Sequence, residues 1–159
     1  MVINKVLIIL ALLSSFANAD IFSKNRASFG VSLGAGYSYG NTYTLVGLSG
    51  NYFVVDNLSI GVSYRGWFGA TPMQNELALS TNYFIPVSQK FRPYLGAFVR
   101  ETFVEGYDNY ESYGARGGVA MINKNSYVSI GYAYEQFSSC RFNNECSSSY
   151  PELVFGLSF

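Results

Sequence analysis

The sequence predicts an all-β protein, an eight-stranded antiparallel up-and-down transmembrane β-barrel. Eight stretches of about ten residues alternate between apolar and small or polar side chains, and this length lets a tilted strand cross a bilayer. Only 13% of the residues are charged, against roughly 25–35% on the surface of a soluble domain, while 18% are aromatic. After residue 19, no stretch keeps the three-and-four spacing of a helix, and no change in composition marks a second domain.

Residues 1–19 have the three parts of a cleaved signal peptide. Lys5 supplies the positive start, an apolar run of about eleven residues follows, and Ala17-Asn18-Ala19 forms a small-residue cleavage site. An anchoring helix is the alternative, but it needs roughly twenty apolar residues. We therefore expect a signal peptide at 1–19 and a barrel at 20–159, which opens with a short polar lead.

Turn signals separate the first four predicted strands, which lie at about 27–37, 43–54, 58–67 and 76–85. Because successive side chains of a strand point to opposite faces, every second residue belongs to the apolar face. In strands one, three and four this face holds Phe29, Val31, Leu33, Ala35, Tyr37, Leu58, Ile60, Val62, Tyr64, Leu77, Leu79, Thr81, Tyr83 and Ile85. The register of strand two stays open, because Leu45 and Phe53 compete with Thr44, Val46, Leu48 and Tyr52.

The last four strands are predicted at about 93–103, 112–122, 127–137 and 151–159. Their apolar face holds Leu95, Ala97, Val99, Phe103, Tyr113, Ala115, Val119, Met121, Val128, Ile130, Tyr132, Tyr134, Leu153, Phe155, Leu157 and Phe159. The longer loops are expected at 69–75, 104–111 and 138–150, with a tight turn at 39–42.

Charged residues decide which face of the barrel meets water. Of seven charges within the predicted strands, only Glu101 falls on the apolar face, and we expect it near an interface. The other six fall on the small and polar face: Arg65, Glu76, Arg100, Arg116, Glu135 and Glu152. A soluble barrel would present to water a face with fewer than one charge per strand. A membrane barrel turns the same face into a narrow lumen and the apolar face to lipid, and the sequence favours this alternative.

Aromatic residues at the strand ends support the membrane alternative, because amphipathic rings prefer the two interfaces of a bilayer. One rim is expected to hold Tyr37, Tyr64, Phe103, Tyr113 and Tyr134, and the other Tyr52, Tyr83 and Phe159.

Cys140 and Cys146 enclose five residues, and in an exported protein so close a pair predicts a local disulfide. The chain has no His and no third Cys, so nothing supports a zinc site, and we expect no metal and no cofactor.

Residues 50–64, 91–99 and 151–159 resemble segments of the small outer-membrane β-barrel superfamily, the OmpA/OmpX/OmpW-like, porin-family barrels. The resemblance covers the whole chain after residue 19. It implies export to the outer membrane of a Gram-negative bacterium, contact with lipopolysaccharide, and a periplasmic N-terminus. It also implies that the barrel-assembly machinery recognises the closing strand through Leu153, Phe155, Leu157 and Phe159.

The resemblance leaves the activity open, and the residues argue against an enzyme. Enzymes among barrels of this size rely on His as the acid or base, and this chain has none. The six lumen charges would instead pair with one another and plug a barrel that is only wide enough for side chains. The alternative is a small channel for ions or small solutes that is lined by the same residues.

The loops opposite the chain termini are predicted to carry whatever recognition the protein performs. Tyr107, Tyr110, Arg141 and Phe142 are candidates for contact with a host surface or a phage, although loop aromatics can equally pack on the rim. Lys+Arg and Asp+Glu balance at ten each, so net charge gives no reason to expect nucleic acid. The sequence therefore predicts a non-enzymatic envelope protein with adhesive loops.

Overall fold

A computed structural model of the chain describes residues 20–140 and 146–159. Eight antiparallel strands follow one another and close into a barrel in which β1 pairs with both β2 and β8. The expected signal peptide lies outside the described residues. The strands are β1 (Ala27–Ser38), β2 (Asn41–Val55), β3 (Leu58–Phe68), β4 (Gln74–Phe84), β5 (Phe91–Val104), β6 (Tyr110–Asn123), β7 (Ser126–Phe137) and β8 (Ser147–Ser158).

Most strands extend a few residues beyond the alternating core that the sequence marks. The largest difference is at β8, which begins at Ser147, whereas the expected strand begins at Pro151. Proline lacks an N–H and is usually found at the ends of strands or on edge strands. In the structure Pro151 lies within β8, opposite Tyr132 of β7, and the serines before it continue the pairing.

The predicted faces are confirmed, with the apolar side chains turned outward and the small and polar ones turned into the barrel. Leu79, Leu95 and Leu157 are each about 60% exposed on the outer surface. The open register of β2 is also resolved. Val46, Leu48 and Tyr52 point outward, while Leu45 and Phe53 are buried inside.

The connections give the two ends of the barrel different characters. The end that carries Asp20 and Phe159, here called the terminal end, has the connections β2–β3, β4–β5 and β6–β7. The opposite end, here called the loop end, carries β1–β2, β3–β4, β5–β6 and β7–β8. The β1–β2 connection is a two-residue turn at Tyr39 and Gly40, both at positive φ, as the twist of a tight hairpin requires.

Candidate functional site

Six consecutive strands, β3 to β8, each contribute one charged side chain to the middle of the lumen. These are the six that the sequence singled out: Arg65, Glu76, Arg100, Arg116, Glu135 and Glu152. They are brought together because each lies at an inward position of its strand. Their side chains are between 4% and 19% exposed, so the lumen largely removes them from solvent.

The six side chains form one continuous series of ion pairs in which positive and negative groups alternate, here called the charge network. It begins with Arg116, whose Nη1 lies 3.6 Å from Glu152 Oε2, and Glu152 Oε1 lies 3.7 Å from Arg65 Nη1. Arg65 Nε donates a hydrogen bond to Glu76 Oε2 at 2.6 Å. The same Glu76 oxygen lies 3.4 Å from Arg100 Nε. Arg100 Nη1 then donates to Glu135 Oε2 at 2.7 Å.

Neutral side chains also hold two of the three carboxylates of the charge network in place. Trp67 Nε1 donates to the second oxygen of Glu76 at 2.8 Å, and the Ser112 hydroxyl donates to the second oxygen of Glu135. Both oxygens of these two carboxylates are thus occupied. Buried charges that are paired and hydrogen-bonded in this way avoid most of the cost of leaving water.

Aromatic rings flank the guanidinium groups of the network. The guanidinium carbon of Arg100 lies 4.7 Å from the centre of the Phe98 ring, and that of Arg65 lies 5.1 Å from the Tyr150 ring. Arg65 also donates to the Tyr150 hydroxyl at 3.3 Å. Flat cations over ring faces are favourable and fill the space between the strands. The middle of the lumen is therefore packed with side chains.

A cluster of rings closes the lumen at the terminal end. Phe22 is fully buried and stacks on Phe84 with 4.1 Å between ring centres, and it contacts Phe53 and Tyr127 at 5.4 Å each. Phe22 belongs to residues 20–26, which the sequence presented only as a polar lead. Sequence reasoning missed this residue because it precedes the first strand, where no alternation assigns it to a face.

A second apolar layer closes the lumen at the loop end. Tyr43, Leu45 and Trp67 form one part of it, and Val104, Tyr110 and Phe137 form the other. The expectation that Tyr110 is exposed in a loop is wrong. Tyr110 is the first residue of β6, is only 9% exposed and packs its ring edge-on against Phe137 at 5.7 Å.

The loop end presents one of the expected contact residues to solvent. Tyr107 is 51% exposed, and its ring lies 5.1 Å from that of Tyr39 in the neighbouring hairpin. The disulfide between Cys140 and Cys146 is present, as expected, and joins the two sides of the β7–β8 loop. Arg141 and Phe142 lie outside the described residues.

The outer surface carries the aromatic residues that the sequence assigned to two rims. All eight are between 38% and 72% exposed. The outward-facing Glu101 lies close to the loop end of β5. In the strand register it stands opposite Glu111 of β6. The closing residues Phe155, Leu157 and Phe159 also point outward, and Leu153 is half-buried on the same face.

The described residues contain no group of three or more His, Cys, Asp or Glu that is arranged to hold a metal ion. Within the same residues there is no helix long and apolar enough to span a membrane.

Comparison with known proteins identifies the fold. No protein-family model matches the chain, and no curated protein matches it. Among solved structures, the N-terminal β-barrel domain of Pseudomonas aeruginosa OprF is 17% identical, with a TM-score of 0.61 over 86% of this chain and 98% of that one. Neisserial surface protein A is 18% identical, with a TM-score of 0.62 over 84% and 95%. The outer membrane enzyme PagL is 16% identical, with a TM-score of 0.53 over 82% and 98%. The chain has the fold of the small outer-membrane β-barrels, as its sequence predicts.

Proposed function

We propose that this protein is a non-enzymatic, integral barrel of the outer membrane of a Gram-negative bacterium, with a sealed lumen and an adhesive loop end. Lipid meets its apolar outer wall, lipopolysaccharide surrounds the loop-end rim, and the terminal end faces the periplasm. One observation carries the proposal: the buried, charged side chains of the lumen neutralise one another within a single charge network. Side chains that fill the lumen in this way stabilise the barrel and leave no open path for ions or solutes.

The fold by itself does not decide between a surface protein and an enzyme, because it is shared by a neisserial surface protein and by an outer membrane enzyme. The chemistry of this chain supports the first. It has no His, and the carboxylates of the lumen already accept hydrogen bonds or lie within 4 Å of an arginine. A carboxylate in these contacts is poorly placed to act as a general base, because its oxygens already face protein cations and not a substrate proton.

The adhesive role rests on the loop end, where Tyr107 offers an exposed ring above a rigid barrel. Exposed tyrosines supply contact area at a low cost in side-chain entropy. The expected ligand is a host-surface molecule or a phage protein. We test this with intact cells that carry the protein or its Tyr107→Ala variant, and measure their attachment to host cells. Attachment should fall several-fold, by the roughly 1–2 kcal/mol expected of a contact tyrosine.

The matched control is Tyr132→Ala, which removes an outward tyrosine of similar exposure from the wall of the barrel. Equal surface amounts of all three proteins must first be shown by labelling the cells. Attachment that is the same for the parent and for Tyr107→Ala would contradict the adhesive role of this residue.

A narrow channel is the second candidate, and a specific feature favours it. Glu152 lies 3.6 and 3.7 Å from its two arginines, which is longer than a hydrogen bond, so it is the least tightly held carboxylate of the network. If ions pass, we expect Glu152→Gln to change the single-channel conductance or its cation preference. A conducting barrel whose conductance and cation preference are unchanged by Glu152→Gln would argue against an ion path at this position.

A further inference from the structure

The outer wall of the barrel carries a groove of about 920 Å³ that crosses the strands β1 to β5. It runs from Ala27, the first residue of β1, to Ala97 in the middle of β5. Gly50 stands in register between Phe29 of β1 and Val62 of β3, and a Cβ at Gly50 would meet nothing within 4 Å. The wall is therefore indented over Gly50, and another molecule can lie there against the backbone.

The surface of the groove is mainly hydrocarbon. Its two outward polar side chains are satisfied within the protein, because the Thr81 hydroxyl donates to the Ser59 carbonyl at 3.1 Å and the Tyr52 hydroxyl donates to Asn25 Oδ1 at 3.2 Å. The groove thus offers apolar contact and few hydrogen bonds. Its volume lies within the roughly 300–1,000 Å³ of sites that hold small molecules. A flexible alkyl chain matches this shape and this chemistry.

A short series of contacts joins the groove to polar residues at its mouth on the terminal end. Asn25, which accepts the hydrogen bond from Tyr52, is held beside β2 because its N–H donates to the Phe53 carbonyl at 2.8 Å. The N–H of the preceding residue, Lys24, donates to Asp56 Oδ1 at 2.7 Å. Tyrosine rings prefer the head-group level of a membrane, and Tyr52 is 45% exposed. Lipid head groups are therefore expected at this mouth.

Lys24 and Asp56 give the mouth one positive and one negative group. Both residues are exposed, and neither takes part in an ion pair within the described part of the chain. Together they complement a head group that is itself a zwitterion, with a phosphate for the Lys24 ammonium and an amine for the Asp56 carboxylate. A primary ammonium brings three N–H donors to a carboxylate, whereas a quaternary one brings none.

We infer that the groove binds one molecule of phosphatidylethanolamine, with an acyl chain over Gly50, the phosphate at Lys24 and the ammonium at Asp56. Under the proposed function, lipid meets the whole outer wall as a solvent. The groove adds the selection of one lipid class, at one place and in the leaflet of the terminal end. The site rests on the proposed membrane placement and is independent of the sealed lumen and of the adhesive loops.

The selection is tested in nanodiscs that contain equal amounts of phosphatidylethanolamine, phosphatidylcholine and phosphatidylglycerol with identical acyl chains. Native mass spectrometry of the released barrel identifies the first lipid that it retains. Phosphatidylethanolamine should exceed each of the other two roughly two- to fivefold, which corresponds to one exposed ion pair. Circular dichroism establishes that each barrel is folded.

Two charge variants separate the two halves of the head group. Lys24→Gln should lower the retention of all three lipids, because all three carry the phosphate. Asp56→Asn should move the preference to phosphatidylglycerol, because the mouth keeps its cation and loses its anion. Lys124→Gln is the matched control, since it removes an exposed lysine of the same end from the β6–β7 turn, outside the groove, and should change neither quantity.

Gly50→Leu tests the groove itself, because the leucine side chain would occupy the open space over Gly50. It should lower the retention of the first lipid severalfold. Ala35→Leu adds a leucine at an outward position of β1 outside the groove and should leave retention unchanged. If Gly50→Leu does not fold, Lys24→Gln still tests the site, because Lys24 precedes the first strand.

Three results from folded, inserted barrels would overturn the site. The first is equal retention of the three lipids by the parent, or retention that Gly50→Leu leaves unchanged. The second is the same loss with Lys124→Gln as with Lys24→Gln, which would indicate diffuse attraction to the terminal end. The third is a dimer of the parent that Gly50→Leu converts into a monomer, which would give the groove to a second copy of the chain. A barrel that does not enter the nanodiscs would contradict the proposed membrane placement and the site with it.

Discussion

At the scale of single residues, Arg100 illustrates how the lumen balances its charges. It lies between two carboxylates, Glu76 and Glu135, and is 6% exposed. Its removal leaves Glu135 without its cation, and Glu76 with Arg65 alone, in a place that water reaches poorly. The penalty for an uncompensated buried charge is larger than the net value of the pair that held it.

Arg100→Ala should therefore lower the free energy of unfolding by about 3–5 kcal/mol. Equilibrium unfolding in urea, with the barrel in lipid vesicles, measures this change. Lys90→Ala removes an exposed cation from a turn and should stay within about 0.5 kcal/mol of the parent. The double variant Arg100→Ala with Glu135→Ala should recover part of the loss. A change below about 1 kcal/mol for Arg100→Ala would show that the network does not carry this energy.

Two glycines show how the inward and outward faces differ in tolerance. A Cβ at Gly118, which points inward, would overlap the Ile130 carbonyl and the Cα of Gly131 on β7. A Cβ at Gly50, which points outward, would meet nothing within 4 Å. Only the inward position needs a residue without a side chain, because neighbouring backbone approaches it closely.

Gly118→Ala is expected to destabilise the barrel by about 1–3 kcal/mol through overpacking. Gly50→Ala should stabilise it by about 0.5–1 kcal/mol, because alanine loses less backbone freedom on folding. The two midpoints in urea give the comparison. If the unfolding midpoints of both variants shift in the same direction, the two faces do not differ in packing as the structure indicates.

At the scale of elements, β8 closes the barrel and ends in Phe159. The backbone of Phe159 exchanges two hydrogen bonds with Ala27 of β1, at 2.9 and 3.0 Å, and its ring is 43% exposed on the outer surface. The backbone of this residue therefore helps join the first and last strands. Its ring takes no part in these hydrogen bonds. The ring is therefore available for recognition by the barrel-assembly machinery, as the resemblance implies.

Phe159→Ala should keep the closing hydrogen bonds but lower the amount of folded barrel in the outer membrane several-fold, because the assembly machinery loses the terminal ring. Phe29→Ala is the control, since Phe29 is a lipid-facing phenylalanine with the same 43% exposure. Membrane fractionation of cells that express each variant gives the amounts. Equal amounts for the two variants would remove the assembly role from Phe159.

The strands also show what sequence can predict here and what it cannot. Alternation fixes the side of every residue in a regular strand, so the six lumen charges and the outward leucines were assigned correctly. Alternation is a weaker guide where inward positions are themselves apolar, as at Leu45 and Phe53 of β2. It says nothing about Phe22, because that residue lies outside the strands. Tyr110 was misplaced because an acidic, glycine-containing stretch predicts a loop that the structure makes shorter.

At the scale of the whole molecule, the lumen consists of apolar layers at both ends and a neutralised charge network between them. The terminal end is closed by Phe22 and its neighbours, and the loop end by Trp67, Tyr110 and their neighbours. An eight-stranded barrel is only wide enough for its own side chains, and here they occupy all three levels and leave a cavity of about 60 Å³ beside Arg116 and Glu152. Under the proposed function, this arrangement makes the barrel a support for its loops and not a pore.

Single-channel recording from the refolded chain 20–159 in planar bilayers, with the disulfide intact, tests this central claim most directly. A sealed lumen predicts silence from a barrel that circular dichroism shows to be folded. It also predicts irregular leakage from Arg100→Ala, because the broken network loses its packing as well as its charge balance. Steady and reproducible openings of the unaltered barrel would contradict the sealed lumen and make the network the filter of a channel.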